Sequence, residues 1–89
     1  MRVRFKLFSI FREEAGASEV EVQVEEGATI LDAVKELAKV KPRLRDRLLD
    51  GDGTLKRGFH LMRDERWPKP DEKVKDGDLI IIFPPVGGG

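Results

Sequence analysis

Charged and apolar residues alternate from the start of the chain, with Arg2, Arg4 and Lys6 interleaving Val3, Phe5 and Leu7. A period of two is that of a strand with one buried and one solvated face. The pattern predicts a first strand, and Phe8, one step beyond Leu7, falls on its charged face. Ile10 to Ala15 predicts a single helical turn stopped by Gly16. Val20, Val22 and Val24 then alternate with Glu19, Glu21, Gln23 and Glu25, which predicts a second strand, hairpin-paired to the first. Arg and Lys would face Glu across that pair, each contact worth a few tenths to ~1 kcal/mol.

The period then lengthens. Thr29, with Asp32 three residues on, has the pattern of a capping box in which hydroxyl and carboxylate satisfy orphan amides of a helix start. Ile30, Leu31, Val34, Leu37 and Ala38 form one apolar stripe, with Lys35, Glu36 and Lys39 outside it, as in a helix packed on a core. Pro42 ends that run. Arg43 to Leu49 predicts a short charged helix that turns Leu44, Leu48 and Leu49 to a core edge, and Asp50-Gly51-Asp52-Gly53 breaks it. This acidic-glycine string lacks the further ligands and final Glu of a calcium loop, so it is read as a plain turn.

Phe59 to Met62 predicts a short strand, Arg63 to Arg66 a charged turn, and Trp67-Pro68 the start of an irregular or edge strand. Lys75-Asp76-Gly77-Asp78 is a tight turn feeding Leu79-Ile80-Ile81-Ile82-Phe83. That most continuous apolar run has the character of a central strand covered on both faces. A helix after a hairpin covers one face of the sheet, and the last strand sits centrally, parallel to the first. The expected fold is therefore α+β, a β-grasp: a mixed sheet of four to five strands, one main helix on one face, and an extended C-terminal tail. The domain is expected over 1–83 and the tail over 84–89.

Composition narrows the chemistry. The 89 residues suit one domain, and 39% hydrophobic with 38% charged residues gives a core under a charged surface. Seventeen basic and seventeen acidic residues cancel, so no net field favours nucleic acid or anionic lipid, and neither is expected as a direct partner. The absence of cysteine excludes disulfides, thiolate–metal sites, a thiol nucleophile and a thioester on a side chain. A single histidine, His60, rules out a clustered His metal site and is read as an ordinary polar strand residue. No apolar run approaches the ~20 residues of a membrane helix, and no signal-peptide pattern opens the chain, so a cytoplasmic protein is expected. Asn is absent and Lys, Arg and Glu are abundant, a profile of proteins from hot environments.

The chemical group is expected in the tail. Pro84 and Pro85 remove amide donors and hold the backbone extended. Gly87, Gly88 and Gly89 carry no side chain, so they can thread a narrow channel and present the carboxylate of Gly89 unobstructed. The plain alternative is an inert end.

These residues resemble a known family. Lys75-Asp76-Gly77-Asp78, the strand Leu79 to Phe83 and Pro84-Pro85-Val86-Gly87-Gly88-Gly89 look like the end of the MoaD/ThiS family of ubiquitin-like sulfur carriers, which close on Phe-Pro-Pro-Val, one variable residue and Gly-Gly. Phe8-Ser9-Ile10-Phe11-Arg12-Glu13 followed by Ala15-Gly16 resembles the family's first strand and turn. The longer middle segment brings the chain nearer to MoaD, the small subunit of molybdopterin synthase, than to ThiS.

The resemblance implies a two-stage cycle. An E1-like, MoeB-like partner uses ATP to adenylate Gly89, and a sulfur donor displaces AMP to leave a thiocarboxylate. The tail then enters a MoaE-like large subunit and gives its sulfur to a pterin precursor of molybdopterin or tungstopterin. The chain is thereby a carrier and not an enzyme, and it binds no cofactor itself. Gly89 is the reacting residue and Gly88 governs tail passage. Phe8, Trp67, Phe83, Pro84, Pro85, Val86 and Gly87 are expected to contact partners. Gly87 occupies the variable position, and Arg63-Asp64-Glu65 stands where relatives often carry an Asn-Gly turn. Archaeal protein modifiers and carriers for tRNA thiolation share this tail, so both remain alternatives, as does a binding module with an inert tail.

Overall fold

The computed structural model describes residues 1–85; Val86, Gly87, Gly88 and Gly89 lie outside the described residues. Along the chain run β1 (Arg2–Leu7), α1 (Ile10–Ala15), β2 (Glu19–Gln23), α2 (Ile30–Val40), a 3₁₀ turn (Pro42–Leu44), α3 (Arg45–Leu48), β3 (His60–Met62) and β4 (Asp78–Phe83). The strand order is β2-β1-β4-β3. β1 is antiparallel to β2 and parallel to β4, and β3 is antiparallel to β4. With α2 against one face, this is the β-grasp that the order of elements predicts.

Each element has a local cause. Val3, Phe5 and Leu7 of β1 and Val20 and Val22 of β2 all turn inward and are buried, as alternation requires. Gly16 adopts φ 72° and its N–H reaches the carbonyls of Arg12 and Glu13, a left-handed cap that ends α1. The capping box of α2 is complete: Asp32 N donates to Thr29 Oγ1 at 3.1 Å and Thr29 N to Asp32 Oδ2 at 3.0 Å. The Thr29 amide holds the Asp32 carboxyl below its ordinary value. Ile30, Val34 and Leu37 of α2 share one buried core with Phe5, Ile80 and Ile82 of the sheet and with Leu44 and Leu48. Asp50–Gly53 is the expected turn, with Gly53 N donating to Asp50 O at 2.9 Å. The Thr54 hydroxyl, donating to Asp52 Oδ1 at 2.7 Å, holds that carboxyl low. Among the described residues no cluster of three or more His, Asp or Glu could hold a metal ion. No described helix is long and apolar enough to cross a membrane.

Several expectations are corrected. Trp67-Pro68 does not open a fifth strand; the segment is irregular, because Pro68 and Pro70 cannot donate to a ladder. β4 is central but not covered on both faces: Ile80 and Ile82 are fully buried, whereas Leu79, Ile81 and Phe83 are only half-buried. Helices pack on one side of the sheet alone, so the other side keeps an apolar stripe at the surface. Leu31 is half-buried and Ala33 takes a core position instead, since the buried arc of α2 is centred one residue further round. β3 begins at His60 and not at Phe59. The Arg–Glu contacts between β1 and β2 are diagonal: Arg4 to Glu19 at 3.3 Å and Arg2 to Glu21 at 3.9 Å, although the register sets Arg4 opposite Glu21. Both pairs are exposed and contribute at most ~1 kcal/mol.

Candidate docking face and tail exit

The parallel pairing of β1 and β4 brings their C-terminal ends together. Leu7 lies opposite Ile82 and Phe8 N donates to Ile82 O at 3.1 Å, so Phe8 is the neighbour of Phe83 at the next step. On the other side His60 lies opposite Phe83. Alternation then assembles the face away from α2: Arg4 and Lys6 from β1, Leu79, Ile81 and Phe83 from β4, His60 and Met62 from β3.

The aromatic members form a row. The His60 ring centroid is 5.2 Å from that of Phe83, tilted 31°, and 5.8 Å from that of Trp67, tilted 34°. Phe8, 38% exposed, carries Lys6 Nζ 5.7 Å from its ring centroid, a cation–π contact along one strand face. Trp67 is 67% exposed. Phe8 and Phe83 sit at neighbouring positions of the outer face, and His60 lies between Phe83 and Trp67. Half-buried Pro84 and exposed Pro85 follow directly from this row. Gly88 and Gly89, with Val86 and Gly87, lie outside the described residues.

Beside the row is a cleft of about 350 Å3 with Phe59, His60, Trp67 and Pro68 among its walls. A larger cleft of about 650 Å3 runs between α2 and the end of β2, past Glu25, Asp32, Lys35 and Lys39. Its walls include charged side chains of both signs, and it sits at the opposite end of the strands from Pro84.

Two features escape the sequence reading. His60, taken as an ordinary polar residue, is the ring that joins Phe83 to Trp67; the signal for it was its register opposite Phe83, which a pattern of single residues does not contain. The second is a buried arginine. Arg63 is only 5% exposed and is held by Glu72 Oε2, Lys73 O and Asp78 Oδ2, each at 2.9 Å; its Nε makes no hydrogen bond. Asp64 and Glu65 have φ 52° and 62°, the paired positive values of a two-residue turn that Asn-Gly usually supplies. Arg63 and Arg66 exchange backbone hydrogen bonds across it at 2.9 and 3.1 Å. Arg66 then grips Glu72 with two prongs at 2.8 and 2.7 Å. Arg66, with Arg63 behind it, holds the Glu72 carboxyl below its ordinary value, and Glu72 in turn raises Arg66.

Comparison with known proteins agrees with this geometry. The ThiS family model matches residues 5–89. Small archaeal modifier protein 1 of Haloferax volcanii is 34% identical over 87 residues, covering 98% of this chain and all of the relative. The molybdopterin synthase sulfur carrier subunit of Chlamydomonas reinhardtii is 30% identical over 90 residues, covering all of both. The crystal structure of SAMP1 from Haloferax volcanii superposes with a TM-score of 0.91 at 34% identity, covering all of both chains. On sequence, on fold and over nearly its whole length, the chain belongs to the ThiS family of ubiquitin-like carrier and modifier proteins.

Proposed function

We propose that this chain is a sulfur carrier whose reactive atom group is the carboxylate of Gly89. The observation that carries the reading is the aromatic row of His60, Trp67 and Phe83, which leads at the end of β4 into Pro84 and Pro85, the residues that precede the three glycines in sequence. A carboxylate is a poor acyl donor because oxide is a poor leaving group. Attack of its oxygen on the α-phosphorus of ATP, with loss of pyrophosphate, gives an acyl adenylate. A sulfur nucleophile then displaces AMP and leaves a thiocarboxylate. The ATP site belongs to an E1-like, MoeB-like partner, and the described residues supply docking alone. The acceptor complex is a MoaE-like large subunit, and the product chemistry is dithiolene formation on a pterin precursor. Similarity to a relative called a sulfur carrier subunit supports this reading.

The test is reconstitution. The purified chain, the E1-like enzyme of its source organism, ATP and a sulfur donor are combined, and intact mass is read for exchange of one oxygen for sulfur at Gly89. Deleting Gly89, or extending the chain beyond it, abolishes the exchange without changing the melting temperature. Unchanged sulfur transfer by a C-terminally extended protein would sink the proposal. Gly88→Leu slows adenylation or transfer more than it changes stability, because passage of the tail is steric; normal turnover would argue against a narrow channel.

A second reading, protein modification, is favoured by the likeness to a small archaeal modifier. It replaces the sulfur nucleophile with a lysine amine of a target protein. Gly-Gly remnants on target lysines in the source organism, in place of thiocarboxylate on Gly89, decide for it; thiolated tRNA that is lost with the gene would decide for a tRNA carrier.

A further inference from the structure

Trp67 is the most exposed aromatic of the docking row, yet little holds it. Its one ring neighbour among the described residues is His60, 5.8 Å away, and the segment that carries it has no ladder partner. The segment is pinned at its far end. Pro70 O and Glu72 O accept the amides of Leu31 and Ile30 at 3.0 and 2.8 Å, so both residues are fastened to the first turn of α2. The near end is held by Arg66, whose guanidinium clasps both Glu72 oxygens. The result is a closed span: Arg66 and Glu72 are bridged by side chains, and Trp67, Pro68 and Lys69 arch between the two anchors.

A two-pronged arginine–carboxylate contact fixes direction as well as distance. The backbone of Arg66 is paired with Arg63 at 2.9 and 3.1 Å, and the clasp adds a second constraint from the side chain on the segment that follows. Arg66 is half-exposed; the burial duty in this corner falls on Arg63, which has its own contacts to Asp78 and Lys73.

We propose that Arg66, through its clasp on Glu72, is the positioning residue that presents Trp67 against His60 as an anchor for the tail-accepting partner. The inference rests on the docking-face reading above, and its occupant is the same: the surface of the E1-like enzyme that receives the tail. An ordered tryptophan binds at lower entropic cost than one that must be ordered on contact. Removing the clasp therefore weakens binding without removing any contacting group.

The experiment uses the full chain, with thermal unfolding, the ring-current shift of the His60 ring protons by NMR, and calorimetric affinity for the E1-like enzyme of the source organism. Trp67 is the only tryptophan, so its fluorescence is a second local report. Expected for Arg66→Ala are an unchanged melting temperature within a few degrees, loss of the Trp67-dependent part of the His60 shift, and binding weakened about tenfold. Trp67→Ala weakens binding at least as much. The double variant is no weaker than Trp67→Ala alone, because the arginine acts only through the tryptophan. Arg66→Lys, which keeps the charge but not the two-pronged contact, resembles Arg66→Ala, and it replaces that variant if alanine lowers the melting temperature further. An intact His60 shift in the folded Arg66 variant, or additive losses in the double variant, overturns the positioning role. Wild-type affinity in Trp67→Ala instead overturns the docking-face reading and leaves the clasp a purely structural contact.

Discussion

The two faces of β4 are built from the same kind of residue and do different things. Ile80 and Ile82 point into the core and are fully buried, while Leu79, Ile81 and Phe83, their immediate neighbours, point away from α2 and stay half open. On β1 the outward positions are Arg2, Arg4 and Lys6, which is what a solvated face requires. Folding explains the inner set and does not explain the outer one: polar residues at 79, 81 and 83 would complete the alternation at no cost to the core. Apolar surface retained beside Pro84 is the surface that the proposed docking would use. The difference separates what holds the protein together from what it offers to others, though both come from adjacent residues of one strand.

The largest expected effect tests that separation directly. Ile82→Ala removes a fully buried side chain between β1, β3 and α2 and is expected to cost about 2–5 kcal/mol. Ile81→Ala, one residue away, is expected to cost less than about 1 kcal/mol. Urea unfolding of the two variants checks the contrast, and equal losses would mean that the outer face is structural after all.

Next comes the outer face itself. Phe8→Ala with Phe83→Ala weakens binding to the E1-like enzyme and to the MoaE-like subunit alike, since both must meet one face to receive one tail. Anchors of this kind contribute ~2 kcal/mol each, about thirtyfold in affinity. Calorimetry on the folded double variant checks it; wild-type affinity for both partners would show that the aromatic row is not the interface. Charge changes at Arg4 or Lys6, on the rim, alter association rate and its salt dependence more than affinity.

Much of the inner half was legible in the sequence, for a physical reason. Val3, Phe5 and Leu7, or Thr29 and Asp32, declare their roles within a few positions, because strand alternation and helix capping are local. Phe8 could be placed on the outer face by the same counting. What could not be counted was anything set by register between distant strands. His60 gains its place from lying opposite Phe83, and Arg63 is buried by Glu72 and Asp78, contacts that arise only after the chain has folded. Trp67 lies in an irregular segment and not in an edge strand, because an aromatic before proline suits either, and only its stacking on His60 sets where it sits.

A smaller effect belongs to the start of α2, where the inner half is oriented. Thr29→Ala removes the hydroxyl that accepts from Asp32 N and is expected to cost about 1 kcal/mol. Thermal unfolding checks it, and Thr29→Ser should recover most of the loss. Binding to partners should change less than in Arg66→Ala, because the amides of Ile30 and Leu31, which the substitution keeps, are what fasten the Trp67 segment to α2.

The smallest expected effect is a pH dependence that links the two halves through Glu72. Its carboxyl is held below the ordinary value of 4.5 chiefly by the hydrogen bonds of Arg66, then by those of Arg63. Asp32 is held below its ordinary 3.8 chiefly by the Thr29 amide. A carboxyl that is more acidic in the folded chain than in the unfolded one binds fewer protons when folded, so stability rises with pH through that window. The contribution is complete above the unfolded values and is lost as pH falls through the lower folded ones. The melting temperature should therefore be flat from neutral pH down to about 5 and decline below the ordinary carboxylate range. In Arg66→Ala the folded value of Glu72 moves back toward 4.5, so part of that acid loss disappears, whereas the part due to Asp32 persists; it persists in Thr29→Ala too, which keeps the backbone amide, and disappears with Asp32→Asn. Because both groups face solvent, screening keeps the changes small, and the comparison is best made at low ionic strength. If acid stability in Arg66→Ala matches that of the wild type at every pH, Glu72 owes its acidity to Arg63 alone, and the clasp contributes nothing to the energy of the fold.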